Sequence, residues 1–144
     1  MKLPAPVPEL QVTDIEAATS AYVRQMGFSV DWTYEDHLAG ISKDAARVFL
    51  RRRTPEENRE RHGVVIWLNM ASADEVDELH AEWKERGVRI VDELHTAPYK
   101  LREFTAQDLD GNRLRVFFDL GSSRAQRNDV FRSDEAEHNG AARA

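Results

Sequence analysis

The 144-residue chain contains no cysteine, which excludes disulfides, thiolate zinc sites and a cysteine nucleophile. It has no basic excess either. Twenty Lys and Arg against 26 Asp and Glu give a formal charge of −6 and a pI near 5.4. A surface of that sign repels a phosphate backbone and attracts cations, so no nucleic-acid partner is expected. The Arg51-Arg52-Arg53 run stands beside Glu56, Glu57 and Glu60 and reads as a solvated loop. Long apolar runs are missing: no window approaches the roughly 18 residues of a membrane span. The start, MKLPAPVPEL, is too rich in proline for a signal peptide. A cytoplasmic protein with no membrane partner is expected. Neither a glycine-rich phosphate loop nor a Ser-His-Asp ordering is present.

What is present is periodicity. With 41% hydrophobic residues the chain can build one compact core. Residues 9–12 alternate as a short strand. Thr13 or Asp14 can cap a helix whose face carries Ile15, Ala18, Tyr22 and Met26, and Gly27 closes it. Residues 28–34 read as a strand with Phe28, Val30 and Trp32 on one face, and residues 38–42 and 46–51 as two more. Residues 54–62 have the composition of a linker.

The order then repeats. Residues 64–69 are a β run, Ser72 and Glu75 form a capping box, and Val76, Leu79, His80 and Trp83 make a helical stripe ended by Gly87. A strand over 88–94 and a hairpin over 98–120 follow. In the hairpin, Leu101, Glu103 and Thr105 alternate with Arg102, Phe104 and Ala106 around an Asp110-Gly111 turn. Asp14 and Asp74 lie 60 positions apart (74 − 14), as do Gly27 and Gly87 (87 − 27). A duplicated βαβββ unit is expected, with halves at about 7–53 and 63–120 in one domain. Residues 121–144 lose all periodicity and read as a polar, flexible tail.

Several segments resemble a known family. The Leu10-x-Val12-x-Asp14-Ile15 entry, the Met26-Gly27-Phe28 helix end and the Asp108-x-Asp110-Gly111-Asn112-Arg113 turn resemble the glyoxalase/bleomycin resistance/dioxygenase (vicinal oxygen chelate) superfamily. GFSVDWTYEDHLAGI (27–41), DELHAEW (77–83) and PYKLREF (98–104) are similar to segments of bleomycin resistance proteins. The resemblance implies an α+β fold of two βαβββ modules with mixed, curved sheets, assembled as a domain-swapped homodimer.

Enzymes of that family hold a divalent metal, but the positions matching their ligands are Val7, residues 48–50, residues 64–66 and Arg115. No metal and no cofactor are therefore expected. The resemblance instead implies a crevice for a planar aromatic or cationic antibiotic, sequestered without chemistry. The ligand-binding residues it implies are Trp32, Tyr34, Asp36, His37, Trp67, Tyr99, Arg102, Glu103 and Phe104, and Trp83 and Phe49 are assigned to the core. Two alternatives stand beside this reading. One is a lyase, isomerase or dioxygenase using Glu9, Glu103 or His95 around a displaced metal. The other is an accessory domain whose tail, with Phe131, docks on a partner.

Overall fold

The computed structural model describes residues 1–60 and 63–121. His62 and, apart from Gly121, the expected tail lie outside the described residues. Eleven elements follow in order: β1 (Glu9–Val12), α1 (Ile15–Met26), β2 (Ser29–Tyr34), β3 (Leu38–Lys43), β4 (Ala46–Arg52), α2 (Pro55–Glu60), β5 (Val65–Asn69), α3 (Ala73–Glu85), β6 (Arg89–Thr96), β7 (Leu101–Gln107) and β8 (Arg113–Asp119). No helix among the described residues is long and apolar enough to cross a membrane.

The strands form two four-stranded mixed sheets, ordered β1-β4-β3-β2 and β5-β8-β7-β6. Each half thus pairs its first strand in parallel with its last. This is the α+β, twice-βαβββ arrangement that the repeat implies. Asp14 caps α1 by accepting from the Ala17 amide at 2.9 Å, and Ser72 caps α3 by accepting from the Glu75 amide at 3.1 Å. The caps are 58 positions apart (72 − 14), whereas the closing glycines are 60 apart (87 − 27). Asp74 is therefore a first-turn residue, not the counterpart of Asp14. Both glycines adopt φ near +83°, a conformation L side chains avoid.

Each helix covers one face of its own sheet, and the two layers share one core. Leu10, Val12, Ile41, Val48 and Leu50 lie under α1; Phe104, Ala106, Leu114 and Val116 lie under α3 with Trp83. Phe28 lies outside β2 and is buried, edge-on to Tyr22 at 5.3 Å. A bulge between Val30 and Trp32 changes the facing of β2. Val30 pairs with core-facing Ile41, while Trp32 pairs with Gly40 on the opposite face. The expected common face of Phe28, Val30 and Trp32 does not form, because a bulge inserts a residue and reverses the alternation. Phe49 also departs from its core assignment. Val48 and Leu50 point inward, which turns Phe49 between them to the helix-free face.

The expected linker contains α2. Pro55 occupies its first position, the Thr54 hydroxyl accepts from the Glu57 amide at 3.2 Å, and the Glu57 carboxylate accepts from the Thr54 amide at 2.8 Å. Arg51 binds the same carboxylate through two nitrogens, at 2.8 and 3.2 Å, and holds its pKa down at about 2. A six-residue polar helix has no apolar stripe, so its period is not visible in the sequence.

The Asp108–Asn112 turn ties the halves together. Asp108 accepts from the Asp110 and Asn112 amides through Oδ1, and from the Tyr22 hydroxyl and Asn112 Nδ2 through Oδ2. Asn112 also donates to the Gln11 carbonyl at 3.0 Å and accepts from the Val64 amide at 3.0 Å. Asp110 accepts from the Thr13 amide, and Arg53 reaches it with its guanidinium almost fully buried. Asn112→Ala leaves several of these buried groups unpaired. It is expected to lower unfolding free energy by roughly 2–4 kcal/mol in a chemical denaturation curve.

Candidate functional site

The strand alternation that buries the core also sorts the expected site residues. On β7, Arg102 faces α3, where it pairs with Asp77 at 2.8 Å, and Phe104 is fully buried edge-on to His80 and Trp83. Glu103 alone of the three turns to the helix-free face. Arg102 and Glu103 are thus not an ion pair.

Glu103 is 1% exposed and is met from three sides. Arg115 of β8 donates to its Oε1 from Nε at 2.9 Å, with Nη2 at 2.8 Å. Tyr99 donates to its Oε2 at 2.5 Å, and His95 Nε2 lies 3.3 Å from the same oxygen. Arg115 Nη2 also donates to the Tyr99 hydroxyl at 2.7 Å, closing a ring of three side chains. The His95 ring is oriented by a 2.7 Å contact between Nδ1 and the Glu93 carbonyl. Tyr99 is placed by a tight turn in which Lys100 takes φ +68° and donates to the Ala97 carbonyl.

The Glu103 hydrogen bond, then burial, raises the Tyr99 pKa above its usual value of 10. Tyr99 is a hydrogen-bond donor near neutrality, not a base.

Trp67 stands beside this cluster because β5 pairs in parallel with β8, Trp67 opposite Arg115. The guanidinium lies 4.2 Å from the indole centre, and Phe117 meets the same indole edge-on at 5.4 Å. Trp67 is 40% exposed, so it is not a core residue. The first sheet carries a related group. Trp32 meets Phe49 edge-on at 5.2 Å, and Arg47 lies over Phe49 at 5.8 Å.

Gly40 makes the first of these contacts possible. It lies in register between Phe49 and Trp32, and a Cβ on it would come within 2.3 Å of the indole nitrogen. Tyr34 follows Trp32 on β2, pairs with Leu38 and is exposed. Asp36 and His37 occupy the turn beyond it, where Asp36 is ion-paired with Arg52 at 2.6 Å and contacts His37 at 3.1 Å.

The expected site residues therefore fall into three groups. Trp67, Tyr99 and Glu103 come together on the second sheet. Trp32 and Tyr34 share a face of the first sheet, with Asp36 and His37 at its end. Arg102 and Phe104 are on the helix side. Asp36 also borders a cleft of about 570 Å³ between the start of α1 and the β2–β3 turn. That cleft holds none of the exposed aromatics and lies apart from the Glu103 cluster.

Phe117, Phe49 and the positive role of Arg115 were not foreseen. A sequence signal for them exists: the tripeptide Arg-Val-Phe occurs in the last strand of each half, at 47–49 and 115–117. Its alternation sends Arg and Phe to one face and Val to the core.

A profile of the Glyoxalase/Bleomycin resistance protein/Dioxygenase superfamily matches residues 6–116. The chain belongs to this superfamily. Its fold matches that of a glyoxalase/bleomycin resistance protein/dioxygenase from Nocardioides, at 15% identity and a TM-score of 0.68 over 86% of this chain and 89% of that one. It matches a lactoylglutathione lyase from Agrobacterium tumefaciens at 18% identity and 0.65, over 81% and 96%. It also matches a bleomycin-binding protein from Streptomyces verticillus complexed with copper(II)-bleomycin, at 26% identity and 0.65, over 85% and 99%. No curated protein sequence matches the chain.

The superfamily's enzymes imply a divalent metal, and the donors present do not fit one. Arg115, at the position expected for a carboxylate ligand, brings a cation engaged with Glu103. Asp92, His95 and Glu103 do bring ligand atoms within 4.8 Å of one another. However, both Glu103 oxygens already accept hydrogen bonds, from Arg115 and Tyr99. A metal there would have to displace Tyr99 and sit close to a guanidinium.

Two outcomes test this geometry. Gly40→Ala is expected to expel the Trp32 indole, seen as a red shift and loss of intensity in tryptophan emission. In a phenolate absorbance titration of the wild type minus Tyr99→Phe, the midpoint is expected above 10, and Glu103→Gln should bring it back toward 10.

Proposed function

We propose that this chain is a binding protein that sequesters an aromatic small molecule, an antibiotic of the bleomycin type or a similar compound, without converting it. The observation that carries the reading is the pair of exposed indole–phenyl groups, Trp32–Phe49 and Trp67–Phe117, on the helix-free sheet faces. Such faces offer stacking surface and exclude water once a planar ligand covers them. The adjoining polar groups point the same way. Glu103, the most buried acid beside them, already accepts hydrogen bonds at both oxygens, from Arg115 and Tyr99. The likeness to a bleomycin-binding protein at 26% identity adds support.

The protein acts in this reading as a homodimer, since a second copy is what can turn two open faces into closed crevices. Light scattering on the purified chain would give the assembly. Isothermal titration against copper(II)-bleomycin, metal-free bleomycin and other stacking antibiotics tests the ligand. At least one is expected to bind, and Trp67→Ala should weaken it about tenfold, the loss of a stacking wall worth about 1.5 kcal/mol. A blank panel would overturn the proposal.

A metal-dependent lyase, isomerase or dioxygenase is the second reading; Asp92, His95 and Glu103 are its candidate ligands by proximity, and it requires a metal to displace Tyr99 from Glu103. Elemental analysis separates the two, because the enzyme would carry a stoichiometric divalent metal.

A further inference from the structure

Resting on the binding reading above, we propose that the second-sheet site is selective for a planar aromatic acid, with Arg115 as the residue that determines this choice. The charges on this face that remain open to a ligand decide the choice. Glu103 is not open: it is 1% exposed, and its oxygens are met by Arg115, Tyr99 and His95. The side of Trp67 that Arg115 covers is closed to a cation, because a guanidinium already lies over the ring there at 4.2 Å. A cationic ligand stacking there would meet like charge.

Arg115 itself remains partly open. Its Nε and Nη2 are engaged with Glu103 and Tyr99, but Nη1 has no acceptor among the described residues, and the side chain is 28% exposed. The guanidinium carbon lies over the Trp67 ring at 4.2 Å, and the partly exposed group offers a ligand its plane and its Nη1 edge. A flat ring bearing a carboxylate matches both: the ring stacks on the plane while an oxygen accepts from Nη1. Glu103 and Tyr99 hold the plane still, so little side-chain freedom is lost on binding. His95, held against Glu103, supplies a further imidazole edge on the same wall.

Two other charges face this region. Asp92 lies 3.9 Å from His95 Nδ1, half exposed, and is the carboxylate a cation would seek. Arg113, on the same face as Arg115, donates to Gln107 at 3.3 Å. Exposed charges of the −6 chain that lie beyond a Debye length of about 8 Å are screened, so contact charges decide.

The test is isothermal titration of the full chain with three probes that share one ring: naphthoate, naphthamide and naphthylmethylammonium. Naphthoate is expected to bind at least about tenfold more tightly than the ammonium probe, as one charge-assisted hydrogen bond allows. Arg115→Lys keeps the charge but loses the fork and the stack; it should weaken naphthoate about tenfold and naphthamide less, so that the gap between these two probes narrows. The Glu103→Gln/Arg115→Gln double variant, which leaves no buried charge unpaired, should bind all three probes alike. Equal or tighter binding of the ammonium probe, or naphthoate binding unchanged in Arg115→Lys, would overturn the inference while leaving aromatic sequestration standing. Failure of all three probes would overturn it too, and with a blank antibiotic panel the sequestration reading would fall with it.

Discussion

The Asp108–Asn112 turn is the constraint on which the rest of the structure depends. A hairpin turn needs only an Asp-Gly pair, but here its side chains bond outward as well as inward. Asp108 takes the Tyr22 hydroxyl from α1, Asn112 bridges the Gln11 carbonyl and the Val64 amide, and Asp110 receives Arg53. One loop of the second half therefore sets the position of the helix and the edge strand of the first. Apart from Arg53 Nε, which is buried without a partner, these groups bond to one another, so displacing one leaves several unpaired. The shared core follows from that alignment: Trp83 of α3 can donate to the Met26 carbonyl at the end of α1 only if the two halves sit side by side.

Covering one face of each sheet with a helix leaves the other face open. Alternation then sorts most residues along β4, β7 and β8, although Leu101 and Thr105 on the Glu103 side of β7 are buried as well. Val48 and Leu50 go in and Phe49 out; Phe104 goes in and Glu103 out; Leu114 and Val116 go in and Arg115 and Phe117 out. The helix-free faces collect aromatic and charged side chains because no helix covers them and closes them into a core. Burying Glu103 next to them is tolerable because Arg115 neutralises it and Tyr99 fills its second oxygen.

Superfamily membership establishes the fold, and the fold hosts many chemistries. The matching structures include a lyase and a bleomycin-binding protein on the same scaffold. What separates such proteins is a handful of side chains on the open faces. In this chain an arginine replaces an expected metal-ligating carboxylate, and its role is more than subtraction. It pairs with Glu103 and lies over Trp67, joining two walls that would otherwise be independent.

Much of the architecture was legible in the sequence, because helical stripes, strand alternation, caps and closing glycines are local signals. The duplicated βαβββ order, the shared α1 and α3 faces and the sharp turn at Gly111 could all be read from spacing. The polar helix α2 could not, since it has no apolar stripe. The bulge in β2 was also invisible, and it moved Trp32 away from the face of Val30. The site was legible in its residue types more than in its contacts. Trp67, Tyr99 and Glu103 could be named, but their union through Arg115 depends on two strand pairings whose register no local pattern specifies. The same holds for Gly40, whose missing side chain matters only because three strands align Phe49, Gly40 and Trp32. By itself the sequence determined the elements and their inward faces, since those follow from local periodicity. Only the tertiary structure decided which charges meet on the outward faces, because that depends on contacts between strands distant along the chain.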